Sequence, residues 1–195
     1  MRLKDKVAIV TGAANGIGAE ISRTFAREGC HVVLADLDEG KAAALAEEIM
    51  KETGVRTVAV GCDVAQKEAL QRVVDTCVAE FGTVDILVNN AGITLPACPV
   101  EDITPERWRK VLDIDLMGTI YGTQCVIPVM KAHKSGKIIN MASVAGQVGG
   151  VFTEATYPVS KAGVICWAKA VAKQVGEYNI TCNCIAPGTI LTAMT

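Results

Sequence analysis

The sequence predicts an α/β protein with a doubly wound, mostly parallel sheet and helices on both faces. Short apolar runs alternate with helical patterns along the whole chain, so that six strands are expected. Each run is apolar at consecutive positions, which is typical of parallel strands that are buried on both faces. The first run leads through a glycine-rich turn directly into a helix, as in a doubly wound sheet.

Composition and charge exclude several classes of protein. Half of the 195 residues are hydrophobic and 21% are charged, which is too apolar for a disordered chain. The formal net charge is −2 and no basic run occurs, so a nucleic-acid-binding surface is not expected. The length predicts a single domain, residues 1–195. Neither a signal peptide nor a membrane span is predicted, and we expect a soluble, cytoplasmic protein.

The first four strands are expected at residues 6–10, 31–35, 56–60 and 84–89. The helix after the first strand has Ile17, Ile21 and Phe25 on one face and ends at Gly29. The next helix is expected to begin at an Asp38 cap and to run to residue 52, and a third is expected at residues 66–81.

The second half of the chain continues the same alternation. Thr104, Pro105 and Glu106 mark the start of a long helix, with a cap, a proline in the first turn and an acidic residue. This helix is expected to run from Thr104 to about Ala132, with Pro128 bending its last turns. A strand at residues 137–141, a helix from Tyr157 to Gly176 and a strand at residues 180–185 complete the prediction.

The turn after the first strand is a candidate dinucleotide site. Its glycines, Gly12, Gly16 and Gly18, would let the backbone approach a pyrophosphate, whose charge the helix N-terminus stabilises. Asn15 and Ile17 belong to the same turn. Glycines are common in tight turns, so the pattern is weak evidence when it is taken alone.

Asp36 follows the second strand, where a carboxylate can accept hydrogen bonds from the ribose hydroxyls of an adenosine. The same charge would repel a 2′-phosphate, and neither Asn15 nor Leu37 supplies a cation to offset it. NAD is therefore predicted in preference to NADP. The alternative is that Asp36 only caps the turn.

Other candidate cofactor contacts follow the third and fourth strands, whose carboxyl ends should lie at the same edge of the sheet. The third strand is followed by Asp63 and Val64, and the fourth by Asn90, Ala91 and Gly92. An ordinary polar turn is the alternative explanation for Asn89 and Asn90.

The candidate catalytic residues are Ser143, Tyr157 and Lys161. Tyr157 and Lys161 are four residues apart at a helix start, so they share one face. An ammonium near a phenol favours the phenolate, which can act as a base. Ser143, just past the fifth strand, could donate a hydrogen bond to an alcohol or carbonyl oxygen.

Taken in order, these motifs resemble the short-chain dehydrogenase/reductase family over nearly the whole chain. The resemblance implies that Tyr157 is the general acid/base, that Lys161 holds the nicotinamide ribose and favours the phenolate, and that Ser143 orients the substrate. It also implies that a late segment meets the nicotinamide carboxamide; its candidate residues are Pro187, Gly188, Ile190 and Thr192. The implied function is an NAD(H)-dependent oxidoreductase that interconverts a secondary alcohol and a ketone.

One residue departs from the family pattern. The family usually has an asparagine in its long fourth helix that completes a proton relay, and Asp115 occupies that place here. Asp115 keeps an acceptor oxygen and loses the amide donor. It is a candidate for the relay, and a purely structural role is the alternative. Two other functions stay open: a catalytically weak or silent NAD-binding module, and a ketoacyl-thioester reductase that uses NADPH.

The remaining expectations concern partners, metals and length. The resemblance implies a homodimer or homotetramer that pairs through the helices from Thr104 to Ala132 and from Tyr157 to Gly176. The eight cysteines are interpreted as small buried hydrophobes, and no metal site is predicted. In the family the segment at residues 187–192 begins a substrate-covering lid, which a further helix and a last strand follow. A C-terminally incomplete domain is therefore expected. The substrate is expected to be a small-molecule alcohol or ketone of undefined identity. The positions expected to face it are mostly apolar, which favours a hydrophobic or medium-sized substrate; they are Ile93, Leu95, Gln147, Val148 and Phe152.

Overall fold

The six predicted strands form one parallel sheet. The structure is a computed structural model that describes residues 1–150 and 153–191. The strands are β1 (Val7–Thr11), β2 (His31–Asp36), β3 (Thr57–Gly61), β4 (Ile86–Asn89), β5 (Gly136–Met141) and β6 (Ile180–Ile185). Their order is β3-β2-β1-β4-β5-β6, and every neighbouring pair is parallel. The doubly wound fold predicted from the sequence is confirmed.

Seven α-helices accompany the sheet in the described residues. They are α1 (Gly16–Arg27), α2 (Glu39–Thr53), α3 (Lys67–Phe81), α4 (Pro105–Val111), α5 (Gly118–His133), α6 (Ala145–Val148) and α7 (Thr156–Val175). A π-helical segment, Leu112–Met117, joins α4 to α5. The long helix predicted from Thr104 to Ala132 is therefore present, but it is not a regular α-helix throughout. The four-residue α6 was not predicted, because it is too short to show a helical period.

The predicted helix caps are present. The Asp38 carboxylate accepts the Lys41 N–H at 3.1 Å, and the Thr104 hydroxyl oxygen accepts the Arg107 N–H at 3.4 Å. Gly54 and Gly82 end α2 and α3 in the left-handed conformation, with φ of 74° and 78°. Local sequence signals are enough to set these boundaries because each depends on one side chain or one backbone angle.

The sheet has a hydrophobic core on each face. Alternate residues of β1 point to opposite sides: Ile9 packs in the core with α3, α5 and α7, and Val10 packs in the core with α1 and α2. All five residues of β1 are buried, which explains the continuous apolar run in the sequence. This central strand is thereby held rigidly, and its carboxyl end fixes the position of the turn that follows it.

The direction in which the chain adds strands to the sheet reverses between β1 and β4. From β1 the chain winds outward to β2 and β3, and β4 returns beside β1 to begin the other half. The loops that follow β1 and β4 therefore separate and leave a crevice at the carboxyl edge, which is where open α/β sheets bind ligands.

The cysteines are free thiols, and most are buried. Burial raises the pKa of Cys30 and of Cys77 to about 12, which keeps both thiols protonated. Within residues 1–150 and 153–191, no cluster of three His, Cys, Asp or Glu side chains is arranged to hold a metal ion. None of the helices described is long and apolar enough to cross a bilayer.

Candidate active site

A cavity of about 640 Å³ opens in the crevice at the carboxyl ends of the strands. Most of the site residues predicted from the sequence line it: Gly12, Asn15, Gly16, Ile17, Asp36, Leu37, Asp63, Val64, Asn90, Ala91, Gly92, Ser143, Tyr157, Lys161, Pro187, Gly188 and Ile190. The fold thus brings together residues from seven separate places in the chain. Thr192, which was also predicted, lies outside the described residues.

Two predicted residues lie behind the cavity wall instead of on it. Gly18 is buried under the glycine-rich turn, and a Cβ there would overlap the carbonyl oxygen of Gly12. The glycine is needed for close packing of the turn on α1, so its part in cofactor binding would be indirect. Asp115 is completely buried beside Lys161.

The glycine-rich turn has the backbone geometry of an anion site. Gly12 and Gly16 are in the left-handed region, with φ of 61° and 54°, which favours glycine. A Cβ on Gly12 would lie 2.8 Å from the Ala91 Cα, so the turn packs directly on the loop after β4. Gly16 and Ile17, in the first turn of α1, line the cavity, and the positive end of the helix dipole therefore faces it.

Asn90 acts as a brace between the two central strands. Its amide donates to the carbonyl oxygens of Thr11 and Gly12, both at 3.0 Å. In return, the Thr11 hydroxyl oxygen accepts the N–H groups of Asn90 and Ala91 at 3.0 and 3.1 Å. Thr11 was missed in the sequence, although a polar residue at the end of a buried apolar strand was a usable signal. These bonds fix the turn after β1 and the loop after β4 relative to each other across the crevice.

Asp36 lies at the far end of the cavity. One carboxylate oxygen accepts the Ala14 N–H at 2.9 Å, and the other accepts the Asp38 N–H at 3.0 Å. The carboxylate therefore does cap the turn, as the alternative interpretation held, and it also faces the cavity. A carboxylate has about four acceptor positions, so the two roles are compatible.

Tyr157 and Lys161 of α7 and Ser143 after β5 line the same cavity on the side of β5, three strands away from Asp36 at the end of β2. The Lys161 Nζ lies 5.6 Å from the centre of the Tyr157 ring and donates to the Met141 carbonyl oxygen at 3.1 Å. Ser143 follows β5, and its hydroxyl oxygen accepts the Ala145 N–H at 3.1 Å. The Met141 carbonyl that orients Lys161 was not predictable, because a main-chain acceptor leaves no signature in the sequence.

Asp115 pairs with Lys161 inside the protein. Its Oδ2 lies 3.3 Å from the Lys161 Nζ, its Oδ1 accepts the Ile93 N–H at 2.8 Å, and the Ser160 hydroxyl lies 3.4 Å away. Burial raises the pKa of Asp115; the Lys161 charge and the hydrogen bonds from Ile93 and Ser160 act in the opposite direction and do not cancel it. The carboxyl thus ionises at a higher pH than an ordinary aspartic acid.

The π-helical segment places Asp115 at this site. An inserted turn of this kind is often found at functional positions. The apolar periodicity of the sequence did not indicate it, because the segment is too short to shift the pattern over several turns.

The comparisons with known proteins agree with this architecture. The family model described as short chain dehydrogenase matches residues 6–195. The chain is 43% identical to trans-4-hydroxycyclohexanecarboxylate dehydrogenase of Sinomonas cyclohexanicum over 199 residues, which cover all of this chain and 76% of that enzyme. It is 38% identical to the 3-oxoacyl-[acyl-carrier-protein] reductase FabG of Chlamydia muridarum, covering 99% of this chain and 77% of the reductase. NAD+-bound xylitol dehydrogenase superposes with a TM-score of 0.92 at 34% identity, over 96% of this chain and 72% of that structure. The chain belongs to the short-chain dehydrogenase family.

Proposed function

We propose that this protein oxidises a secondary alcohol to a ketone, or catalyses the reverse reduction, with NAD(H). The observation that carries the proposal is the position of Tyr157, Lys161 and Ser143 at one end of a cavity whose other end holds Asp36. A dinucleotide whose adenosine was held at Asp36 would have its reactive ring on the tyrosine side of this cavity.

The residues of the cavity fit this cofactor. The left-handed Gly12 and Gly16 leave the backbone free of side chains at the point where a pyrophosphate would approach. Asp36 would accept the ribose hydroxyls, and Lys161 would hold the second ribose. When bound, NAD supplies the nicotinamide ring that accepts a hydride from the carbinol carbon of the alcohol.

The side chains of the chain itself handle the proton. The Tyr157 phenolate accepts the proton of the alcohol, and in the reverse direction the phenol donates it to the ketone oxygen. The Lys161 ammonium stabilises the phenolate electrostatically. The Ser143 hydroxyl donates a hydrogen bond to the substrate oxygen, and its own oxygen is oriented by the Ala145 N–H. Asp115 fixes Lys161 and is the candidate next member of a proton relay.

The charges around the cavity favour NAD over NADP. Among the described residues that line the cavity, Lys161 is the one cation, and it lies at the catalytic end. The adenosine end carries the Asp36 carboxylate, and Leu37 beside it is 79% exposed and uncharged. A 2′-phosphate would therefore meet a negative charge without a compensating cation. The NAD+-bound state of the similar xylitol dehydrogenase supports this choice.

The similarity to 3-oxoacyl-[acyl-carrier-protein] reductases keeps a second function in view, the reduction of a ketoacyl thioester. The two candidates differ in nucleotide as well as in substrate, because the second is expected to use NADPH. The purified protein should be assayed by reduced-nicotinamide absorbance with a panel of secondary alcohols and ketones, including cyclic hydroxy acids and polyols, and with a 3-oxoacyl thioester. Each substrate should be tested with both nucleotides. We expect turnover of an alcohol or a ketone with NAD(H). Turnover of the thioester with NADPH alone would favour the second function. Nucleotide binding without any turnover would favour a silent NAD-binding module.

We also propose that the chain forms a homodimer or homotetramer through the helices from Thr104 to Ala132 and from Tyr157 to Gly176. Light scattering at micromolar protein concentration tests this assembly, and a monomeric mass would contradict it.

A further inference from the structure

Glu154 is a buried carboxylate that the proposed mechanism does not use. Its side chain is completely enclosed, although it lies only three residues before Tyr157. An ionised carboxylate is seldom buried without several partners, because removing it from water is costly. The partners of Glu154 therefore indicate what the residue is for.

Three segments of the chain donate to this one carboxylate. The Arg107 guanidinium, from α4, forms an ion pair with Oε2. The Cys98 thiol, from the loop after β4, lies 3.4 Å from the same oxygen. The Thr156 hydroxyl, at the start of α7, donates to Oε1 at 2.8 Å. Together these bonds hold the pKa of Glu154 below its ordinary value, although burial by itself would raise it.

Main-chain bonds join the same segments. Arg107 also donates to the Pro96 carbonyl oxygen at 2.9 Å, and Pro96 forms an antiparallel bridge with Thr153. The Glu154 N–H donates to the Leu95 carbonyl oxygen at 3.4 Å, and the Glu154 carbonyl oxygen accepts the Tyr157 N–H at 3.1 Å. The loop at residues 93–98 and the first turn of α7 are thus connected through one residue.

Both connected segments contribute to the cavity. Ile93 and Thr94 of the loop line it, and so does Tyr157 of the helix. If the two segments moved apart, the tyrosine and the opposite wall would separate. Misplacement of reacting groups by about 1 Å can cost about 100-fold in rate.

We propose that Glu154, held by Arg107, is a positioning residue that fixes Tyr157 relative to the substrate-side loop at residues 93–98. The inference rests on the proposed function for its catalytic consequence and on the contacts above for the linkage itself. An apolar pair of similar volume in place of Glu154 and Arg107 could fill the same space, but it could not orient Thr156 and Cys98.

The test uses Glu154→Gln, with Glu106→Gln as the matched control. Glu106 pairs with Arg109 on α4, the helix that also carries Arg107. The Glu106 and Arg109 side chains are 76% and 72% exposed, so loss of this pair should change little. Amide hydrogen exchange measured by mass spectrometry reports the linkage without any need for turnover. We expect exchange in residues 93–98 and in the first turn of α7 to become at least about tenfold faster in Glu154→Gln, with no change in the glycine-rich turn. Steady-state kinetics should show kcat lower by about tenfold or more, with unchanged NAD affinity.

The outcomes separate the two proposals. Unchanged exchange in Glu154→Gln, faster exchange in only one of the two segments, or faster exchange in both with unchanged kcat would each overturn the positioning role. A wild-type protein without turnover would refute the proposed function, while the exchange pattern would still decide the linkage. If Glu154→Gln does not fold, Thr156→Val removes one bond to the carboxylate and keeps the ion pair. Faster exchange in the first turn of α7 together with lower kcat would then support the role, and wild-type behaviour would overturn it.

Discussion

Replacement of Asp115 by asparagine should move the pH dependence of alcohol oxidation to lower pH. Burial raises the pKa of Asp115, so its negative charge forms at a higher pH than in an ordinary aspartic acid. That charge offsets the Lys161 ammonium and opposes formation of the phenolate. Asparagine is neutral at every pH, and its oxygen can still accept the Ile93 N–H that now binds the Asp115 carboxylate.

The size of the effect follows from the positions of the three groups. The Lys161 Nζ lies 3.3 Å from the Asp115 carboxylate and 5.6 Å from the centre of the Tyr157 ring, so carboxylate and ring are at most about 9 Å apart. At about 8 Å and an effective dielectric constant of about 20, two unit charges interact by about 2 kcal/mol. Water in the cavity mouth screens part of this energy, so we expect a shift of about one pH unit.

The assay is kcat/KM for alcohol oxidation across the pH range in Asp115→Asn and in the control Asp113→Asn. Asp113 is exposed in the same π-helical segment, so its variant should follow the wild-type profile. The acid side of the Asp115→Asn profile should move to lower pH. An unchanged profile would show that the Asp115 charge does not act on Tyr157, and a shift to higher pH would refute the electrostatic reasoning.

Three further changes test the cofactor site, the core and the buried ion pair. The double variant Asp36→Ala, Leu37→Arg removes the negative charge at the adenosine end and adds a cation, so we expect KM for NADP to fall by at least about tenfold; a persistent preference for NAD would contradict the role of Asp36. Asn89 donates to the Asn140 side-chain oxygen at 2.9 Å in the core, so Asn89→Ala should lower the free energy of unfolding in urea by about 2 kcal/mol, and a loss near zero would mean that this bond contributes little. The pKa of Glu154 is lowered from 4.5, so its stabilisation is present above pH 4.5 and is lost as the pH falls through the lower folded-state value. Urea midpoints measured across this range should fall less steeply with acidification in Glu154→Gln than in the wild type, and equal slopes would count against an ionised Glu154 in the folded protein.

Sequence reasoning predicted the parts of the structure that depend on local pattern. The strands follow from continuous apolar runs such as residues 31–35, and helix starts follow from single capping residues such as Thr104. The cavity residues were found because every parallel strand ends at the same edge, so that polar or glycine residues after strands collect there.

The parts that were missed depend on contacts between distant segments. The π-helical segment adds a wider turn to a helix without changing its composition, so the sequence showed only an aspartate at residue 115. The group around Glu154 joins residues up to 56 positions apart, and no spacing rule connects them. Five positions are expected from the sequence to face the substrate, and one of them, Phe152, lies outside the described residues. Of the other four, Ile93 lines the cavity, and Leu95, Gln147 and Val148 do not. Side-chain direction in loops is set by tertiary contacts, so these positions could not be ranked in advance.

The most direct measurement compares the turnover and NAD affinity of Tyr157→Phe with those of the control variant Tyr178→Phe. Tyr178 lies in the short turn between α7 and β6, where the Lys131 Nζ is 4.2 Å from the centre of its ring, and phenylalanine keeps that contact. We expect Tyr157→Phe to lose the proton-transferring hydroxyl, and with it about 100-fold to 10,000-fold in kcat, while NAD affinity is retained. Tyr178→Phe should match the wild type in both. Substantial turnover by Tyr157→Phe would contradict the role of this tyrosine as the general acid/base.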